Sequence, residues 1–207
     1  MPESGAAAAV TAVILAGGAA TRMGGRDKGL LELAGRPMVE YVIDALRPQA
    51  AQLLINANRN LEIYRSYGYP VFSDQQDGFE GPLAGMASCM ARVQTPFMVT
   101  APCDSPFVPR DLVDRLMEAL RAGNADISVA HDGERMQPVF SLLRTTLLPS
   151  LTAFLAEGQR KIDRWYLRHA TITADFSDQP ETFANVNTPE DIRALEQSLQ
   201  DHGRLPA

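Results

Sequence analysis

The sequence contains few of the residues on which disulfide-rich, zinc-binding and membrane-spanning proteins depend. Its 207 residues include only two cysteines, so no disulfide framework is implied and a reducing cytoplasm is the expected location. The three histidines, at positions 131, 169 and 202, do not have the spacing of zinc ligands. No apolar run approaches the roughly 20 residues of a membrane span, and residues 1–9 lack the charged and apolar regions of a signal peptide. We therefore expect no membrane association.

The chain also lacks an excess of basic residues. It carries 25 acidic and 19 basic side chains, and the net charge of −6 argues against nucleic-acid binding, which normally needs a basic face. That balance does not exclude a nucleotide, because a local cluster such as Arg22, Arg26 and Lys28 can oppose the overall charge.

Apolar residues recur with the spacing of strands and helices in alternation along the chain. Strands are predicted at residues 10–14, 53–57, 70–73, 97–101, 126–130 and 138–142. Helices are predicted at residues 38–47, 83–90, 112–120, 147–155 and 161–167, and a last helix opens with the capping-box pattern Thr188–Asp191. This alternation predicts right-handed βαβ crossovers. The expected fold is a Rossmann-like three-layer α/β/α sandwich with a mainly parallel sheet and an antiparallel strand in the second half.

The length of the chain suits one domain with a substantial core. We expect that domain to cover residues 10–200, with a disordered tail over 1–9 and a frayed tail over 201–207.

A glycine-rich loop follows the first predicted strand and reads L-A-G-G-A-A-T-R-M-G-G-R-D-K from Leu15 to Lys28. Glycine lets backbone N–H groups approach and surround an anion, and Arg22 and Lys28 would add positive charge beside phosphates. The loop is neither a Walker A motif nor a G-x-G-x-x-G fingerprint. It predicts phosphate binding; the alternative is a glycine-rich surface turn.

Several polar residues lie at the carboxyl ends of the predicted strands. The loop 15–28, Asn56, Asp74 and Asp104 all have this position. Ligands of open parallel sheets bind at the carboxyl ends of the strands, so these residues are expected to share one site. Cys103, beside Asp104, has no paired histidine and is predicted to be a small buried residue.

Asp104 lies in Pro102-Cys-Asp-Ser-Pro106, directly after a buried strand. A carboxylate in this position suits Mg²⁺, which usually takes one or two carboxylates and completes its shell with phosphate oxygens and water. The alternative is that Asp104 caps the helix that follows the prolines.

The glycine-rich loop, written L-A-G-G-x-x-x-R-M-G-G-x-D-K-G-L, resembles the signature of the molybdenum cofactor guanylyltransferases, a branch of the nucleotidyltransferases. The Gly24-Gly25 pair and the ending Asp27–Leu30 are typical of that branch. The resemblance extends from Val10 to about Leu199. Further matches occur at Ile55–Asn58, Gly81–Gly85, Pro102–Pro106 and Asn185–Asp191.

This resemblance implies an Mg²⁺-dependent enzyme that transfers GMP from GTP to molybdopterin-bound molybdenum cofactor and releases pyrophosphate. It implies the catalytic residues Arg22, Lys28 and Asp104. The implied metal ligands are Asp104 and Asn187, although Asn187 or Thr188 could simply cap the last helix. The implied nucleotide-binding residues are Leu15, Ala16, Gly17, Gly18, Lys28, Asn56, Asp74, Gly81, Pro82, Leu83, Gly85 and Asp104.

The exact roles of several residues have open alternatives. Asp74 could accept both N–H groups of guanine, bind a ribose hydroxyl, or be only a turn residue. Asn56 could contact base or ribose, and the backbone of Gly81–Gly85 could flank the base. Asp27 either orients Lys28 or is an exposed surface charge, and the second interpretation is preferred.

The pocket that binds the acceptor would need cations and hydrogen-bond donors, because molybdopterin carries a phosphate and a polar pterin. The compact polar clusters that fit are Arg160-Lys161, after Gln159, and His131–Arg135. The alternative for Arg160 and Lys161 is the solvated start of a helix. Maturation proteins of molybdoenzymes are further candidate partners, and a monomer is expected.

Two alternative functions share the same loop. One is a cytidylyltransferase for the same pterin or a sugar-phosphate nucleotidyltransferase. The other is a nucleotide-binding regulator without turnover, against which the joint presence of Arg22, Lys28 and Asp104 argues.

Overall fold

The computed structural model describes residues 7–18, 27–74, 81–186 and 188–202, and its centre is a seven-stranded sheet. The strands are β1 (Val10–Leu15), β2 (Glu32–Leu33), β3 (Arg36–Pro37), β4 (Gln52–Asn56), β5 (Val71–Phe72), β6 (Phe97–Pro102), β7 (Ile127–His131), β8 (Met136–Arg144) and β9 (Thr171–Asp175). The sheet has the order β5-β4-β1-β6-β8-β7-β9, and β2 and β3 form a separate hairpin. Only β8 runs antiparallel to its neighbours in the seven-stranded sheet, so the mainly parallel sheet with one antiparallel strand is confirmed.

Helices cover both faces of this sheet. They are α1 (Met38–Leu46), α2 (Leu61–Ser66), α3 (Pro82–Met90), α4 (Leu112–Ala122), α5 (Leu148–Ala156), α6 (Ile162–Tyr166) and α7 (Pro189–His202). One hydrophobic core unites β1 with α1, α2 and α4, and the other unites β1 with α3, α5 and α6. Alternate residues of β1 enter different cores: Ile14 packs in the first, whereas Val13 and Leu15 pack in the second. The three-layer arrangement is therefore confirmed.

The described part of the chain contains no helix that is long and apolar enough to cross a membrane. Ala7–Ala9 form a short 3-10 helix before β1, and α7 ends at His202. Residues 1–6 and 203–207, which belong to the predicted tails, lie outside the described residues.

Each predicted strand and helix has a counterpart in the structure. Among the β-strands and α-helices of the described residues, four were not predicted: β2, β3, α2 and β9. The β2–β3 hairpin turns through Ala34 and Gly35, whose φ angles of 52° and 76° are both positive, as in a type I′ turn. Only Ala174 is buried in the edge strand β9, so this strand lacks a clear apolar pattern. The observed β8 is longer than predicted, because its first residues pair with β7 beyond a bulge at Val129/Ala130.

The predicted capping box at the start of α7 is confirmed. The Thr188 backbone N–H donates to Asp191 Oδ2 at 2.8 Å, and the Asp191 backbone N–H donates to Thr188 Oγ1 at 3.1 Å. Two backbone donors of the first helical turn are thus paired within the motif.

Candidate active site

The parallel register of three strands brings the predicted site residues to one edge of the sheet. At the end of β1, Leu15 pairs with Asn56 on one side and with Pro102 on the other. Backbone hydrogen bonds continue past the strand ends: Ala16 N–H donates to the Asn56 carbonyl at 2.8 Å, and Cys103 N–H donates to the Leu15 carbonyl at 3.1 Å. The segments that carry the loop, Asn56 and Asp104 are therefore fixed to one another.

Lys28 and Asp104 form an ion pair at this edge. The Lys28 Nζ lies 2.8 Å from Asp104 Oδ2, and the two side chains are 22% and 15% exposed. The pair is thus only partly accessible, and a charged ligand could contact it where the dielectric is lower than in bulk water. Asp104 does not cap α4, because that helix begins at Leu112 with Asp111 as its preceding residue.

Two asparagine side chains hold the carboxylate of Asp74. Asn56 Nδ2 donates to Asp74 Oδ1 at 2.9 Å, and Asn58 Nδ2 donates to Asp74 Oδ2 at 2.8 Å. The Asp74 backbone N–H also donates to Asn58 Oδ1 at 2.9 Å. Asp74 is therefore oriented through both of its carboxylate oxygens and is more than a simple turn residue.

Asn58 was not selected from the sequence, although it stands in the Ile55–Asn58 motif. It also donates from Nδ2 to the carbonyl of Gly17 at 3.2 Å, so it joins the glycine-rich loop to Asp74. The sequence did contain a signal for Asn58. Residues two apart in extended backbone point to the same face, so Asn58 is expected beside Asn56.

Two glycines permit the position of the Asn56 side chain. A Cβ atom at Gly17 would lie 2.8 Å from Asn56 Oδ1, and a Cβ atom at Gly85 would lie 2.8 Å from Asn56 Cγ. Side-chain carbon atoms do not approach that closely, so both positions require glycine while Asn56 stays in place. Gly81, just before α3, has a φ of 82°, and Pro82 occupies the first turn of that helix.

Asp27 is buried, with 8% of its surface exposed, so the preferred interpretation as an exposed surface charge is wrong. Tyr64 Oη donates to Asp27 Oδ1 at 2.7 Å, and Asn60 Nδ2 donates to Asp27 Oδ2 at 3.0 Å. Burial raises the pKa of Tyr64 far above its usual value, and nearby acidic groups add to this effect, so the hydroxyl remains a hydrogen-bond donor.

Comparison with known proteins decides the family. Residues 12–172 match the family model described as the MobA-like NTP transferase domain. The chain is 50% identical over 190 residues to the molybdenum cofactor guanylyltransferase of Shewanella piezotolerans, covering 92% of this chain and 93% of that protein. This chain belongs to the molybdenum cofactor guanylyltransferases. The protein of the same name from Shewanella loihica is also 50% identical over 190 residues, with 92% and 97% covered.

Solved structures show the same fold at lower identity. Molybdopterin-guanine dinucleotide biosynthesis protein A from Archaeoglobus fulgidus superposes with a TM-score of 0.78 at 20% identity, covering 92% of this chain and 99% of that chain. The 2-C-methyl-D-erythritol 4-phosphate cytidylyltransferase from Thermus thermophilus has a TM-score of 0.67 at 18% identity, with 91% and 98% covered. The guanylyltransferase family thus shares its nucleotidyltransferase fold with an enzyme named for a different nucleotide.

The cysteines of this guanylyltransferase are not reactive nucleophiles. Cys103 is buried, as predicted, and burial together with the neighbouring Asp104 charge raises the pKa of its thiol well above the usual value. Burial also raises the pKa of Cys89 to about 12. Both thiols therefore stay protonated near neutral pH.

Within the described ranges, no group of three or more His, Cys, Asp and Glu side chains could hold a metal ion by itself. Asp104 supplies one hard carboxylate at the strand end, and Lys28 contacts its Oδ2 atom. A single carboxylate fits Mg²⁺ that binds together with nucleotide phosphates, because such an ion keeps several water and phosphate oxygens as ligands.

Of four further predicted site residues, the structure describes two. Arg22 and Asn187 lie outside the described residues. Arg160 donates from one guanidinium nitrogen to the carbonyls of Leu155 and Gln159, both at 2.8 Å, so it has contacts at the end of α5. Lys161 is exposed and immediately precedes α6.

Proposed function

We propose that this chain transfers GMP from GTP to molybdopterin-bound molybdenum cofactor and releases pyrophosphate. The observation that carries the proposal is the arrangement at one sheet edge of a held carboxylate, Asp74, and an ion pair, Lys28–Asp104. The Asp74 carboxylate suits a base with adjacent N–H donors, and the Lys28–Asp104 pair suits the phosphates of the same nucleotide. The family and the reaction named for its members agree with this arrangement.

Asp74 would recognise guanine in this proposal. Guanine presents its N1–H and N2–H donors side by side, and a carboxylate offers about four lone-pair positions. Asp74 can therefore accept two hydrogen bonds from the base while Asn56 and Asn58 still donate to it. The two asparagines would keep the carboxylate in the plane of the incoming base, and the backbone of Gly81–Gly85 would flank the ring.

The glycine-rich loop and Lys28 would bind the triphosphate. Backbone N–H groups of Gly17 and Gly18 would face the phosphates, because the Ala16 N–H is already paired with the Asn56 carbonyl. Lys28 and Arg22 would stabilise the charge that develops during transfer. The nucleophile is a terminal phosphate oxygen of the pterin, which attacks the α-phosphorus in line. Because this oxygen is already anionic, positioning and charge stabilisation can carry the rate without a strong general base.

Asp104 would hold Mg²⁺, with the carbonyl of Asn187 as a second candidate ligand. When bound there, Mg²⁺ would supply positive charge that offsets the charge of the phosphates. The Asp104 backbone carbonyl accepts the N–H of Val186 at 2.9 Å, and this bond brings the segment before Asn187 to the end of β6. Lys28 would then contact the phosphates and give up part of its contact with Asp104.

The acceptor would bind on the side of Asp104 away from Asp74. In the sheet, β6 is followed by β8 and β7, and the His131–Arg135 turn between them lies at the same edge as Asp104. Asp132 orders this turn by accepting the backbone N–H groups of Glu134 and Arg135 at 2.9 and 2.7 Å. Arg160 and Lys161 are the proposed cations of this half of the site.

A nucleotide panel tests the proposal. Thermal unfolding is measured with GTP, CTP, ATP or UTP in the presence of Mg²⁺, and pyrophosphate release is measured after the pterin acceptor is added. A ligand at 100 times its Kd stabilises the native state by about 2.7 kcal/mol, so a strong shift with GTP alone is expected. A comparable shift with CTP would contradict the guanine assignment, and GTP binding without pyrophosphate release would identify a binder without turnover.

A further inference from the structure

A buried carboxylate directly precedes the lysine of the proposed phosphate site. Asp27 is 8% exposed, and both of its oxygens accept hydrogen bonds, from Tyr64 Oη at 2.7 Å and from Asn60 Nδ2 at 3.0 Å. Burial of an ionised group is costly unless it is fully hydrogen-bonded, so removal of one donor would weaken this arrangement strongly. We refer to Asp27, Asn60 and Tyr64 as the Asp27 brace.

The Asp27 brace continues into a tightly packed backbone on the other side of Lys28. A Cβ atom at Gly29 would lie 2.6 Å from Tyr64 Oη and 3.0 Å from Cys103 Cβ. The backbone after Lys28 therefore passes between Tyr64 and the residue that precedes Asp104. The carbonyl of Asp27 also accepts the N–H of Leu30 at 3.1 Å, which closes a 3-10 turn around Lys28.

The two donors of the brace belong to one helical turn. The Tyr64 backbone N–H donates to the Asn60 carbonyl at 3.1 Å, and Tyr64 is fully buried. Asn60 has a φ of 50°, a left-handed conformation that asparagine tolerates better than most residues. This turn begins two residues after Asn58, so the connection between β4 and α2 contributes to both the Asp74 contacts and the Asp27 brace.

We infer that Asp27, Asn60 and Tyr64 are positioning residues that place Lys28 against Asp104 for the transfer step. This inference rests on the proposed function for the role of Lys28 itself. A lysine ammonium is a point charge on a flexible four-carbon stem, so its location depends on where its backbone is held. The brace fixes that backbone, and Lys28 Nζ reaches Asp104 Oδ2 at 2.8 Å.

The first test is Tyr64→Phe, which removes one donor to Asp27 and keeps the ring. Misplacement of a catalytic group by about 1 Å can cost ~100-fold in rate, so we expect kcat to fall roughly 10- to 100-fold. The apparent KM for GTP should stay within about twofold, because Lys28 acts mainly on transition-state charge. Tyr166→Phe is the matched control: Tyr166 is also buried, and its hydroxyl donates to Ser141 Oγ at 2.8 Å. Its kcat should stay near the wild-type value.

A second test exchanges the two partners of a hydrogen bond. In Asp27→Asn an amide nitrogen donor replaces one of the two acceptor oxygens and the negative charge is lost, so kcat should fall as in Tyr64→Phe. Adding Asn60→Asp restores an acceptor opposite that donor, and we expect most of kcat to return. This pair of variants also tests the inference if Tyr64→Phe does not fold.

A third readout does not depend on turnover. Labelling of Lys28 by an amine-modifying reagent, followed by peptide mass spectrometry, should be several-fold faster in Tyr64→Phe than in Tyr166→Phe and the wild type. If kcat and Lys28 labelling of Tyr64→Phe match those of Tyr166→Phe, the inference is wrong. If the wild type itself transfers no guanylyl group, the proposed function fails, while the labelling comparison still decides whether the brace positions Lys28.

Discussion

The Lys28 ammonium lies 2.8 Å from the Asp104 carboxylate, although 76 positions separate the two residues in the sequence. Lys28 follows the glycine-rich loop after β1, and Asp104 follows β6, which is the neighbour of β1 in the sheet. The contact is thus a direct consequence of the parallel pairing of these two strands. It gives the proposed phosphate site a cation and the carboxylate that is proposed to hold Mg²⁺ at the same place.

We expect Lys28→Ala and Asp104→Ala each to reduce kcat several hundred-fold while the fold is retained. Loss of one contact to the charge of the transition state raises the activation free energy by roughly 3 kcal/mol. The fold should be retained because neither side chain belongs to the hydrophobic cores. The effects should not add in the double variant, because the two side chains contact each other. Steady-state kinetics and thermal unfolding provide the measurements, with Arg193→Ala, which removes an exposed ion pair with Glu190, as the control. Near-normal turnover of a folded variant would exclude that residue from the reaction.

We expect Asp74→Asn to weaken GTP binding more than it slows the chemical step. An amide presents one acceptor atom instead of two, and a hydrogen bond to a charged group contributes about 1.5–3 kcal/mol. Asp74→Asn should lower the affinity of the protein for ITP, which lacks the 2-amino group, less than its affinity for GTP. Glu157→Gln neutralises an exposed carboxylate paired with Arg168 and serves as the control. Equal losses for GTP and ITP would assign Asp74 to the ribose instead of the base.

We expect Gly85→Ala to lower both the thermal stability and the affinity for GTP. Replacement of a helix-interior glycine by alanine normally stabilises by roughly 0.5–1 kcal/mol. Here the new Cβ would lie 2.8 Å from Asn56 Cγ and 3.1 Å from Leu15 Cδ2, so the Asn56 amide must move away from Asp74. Ala87→Gly in the same helix lowers stability through helix propensity and through loss of a methyl group that packs on the second core, and it should leave the affinity for GTP unchanged. A raised Tm with normal affinity would contradict the assigned role of Asn56.

We expect the double variant Arg160→Ala, Lys161→Ala to raise the apparent KM for the pterin acceptor and to leave the affinity for GTP unchanged. Its Tm should fall as well, because Arg160 donates to carbonyls at the end of α5. The single variant Lys161→Ala separates the two effects, since Lys161 is exposed. If the acceptor KM stays at the wild-type value in the double variant, these residues have only a structural role.

Strand ends explain what could be predicted about the site. Asn56 is the last residue of β4, whereas Asp74 and Asp104 follow β5 and β6. The apolar runs of these strands are clear in the sequence, and parallel strands bring their carboxyl ends to one edge. The same reasoning identified the loop before Lys28. For these residues, local periodicity and topology were enough to predict that they lie at one edge of the sheet.

Asp27 shows what the sequence does not reveal. Its burial depends on Tyr64, which is 37 positions away on α2, a helix of only 6 residues. So short a helix has no clear apolar periodicity, and an acidic residue beside Arg26 and Lys28 has the sequence pattern of a solvated charge. The contacts that bury Asp27 form only when β4 and β1 have paired and Tyr64 of α2 packs against residues 27–29.

In the proposed reaction, this chain moves the α-phosphate of GTP, with its guanosine, onto the pterin. The most direct measurement incubates the protein, Mg²⁺ and molybdopterin-bound cofactor with GTP labelled either at the α- or at the γ-phosphate, and follows the label by chromatography. We predict that the α-label appears in the pterin product and that the γ-label appears in pyrophosphate. Transfer of the γ-label to the pterin, or release of the γ-label as inorganic phosphate without a pterin product, would contradict the account.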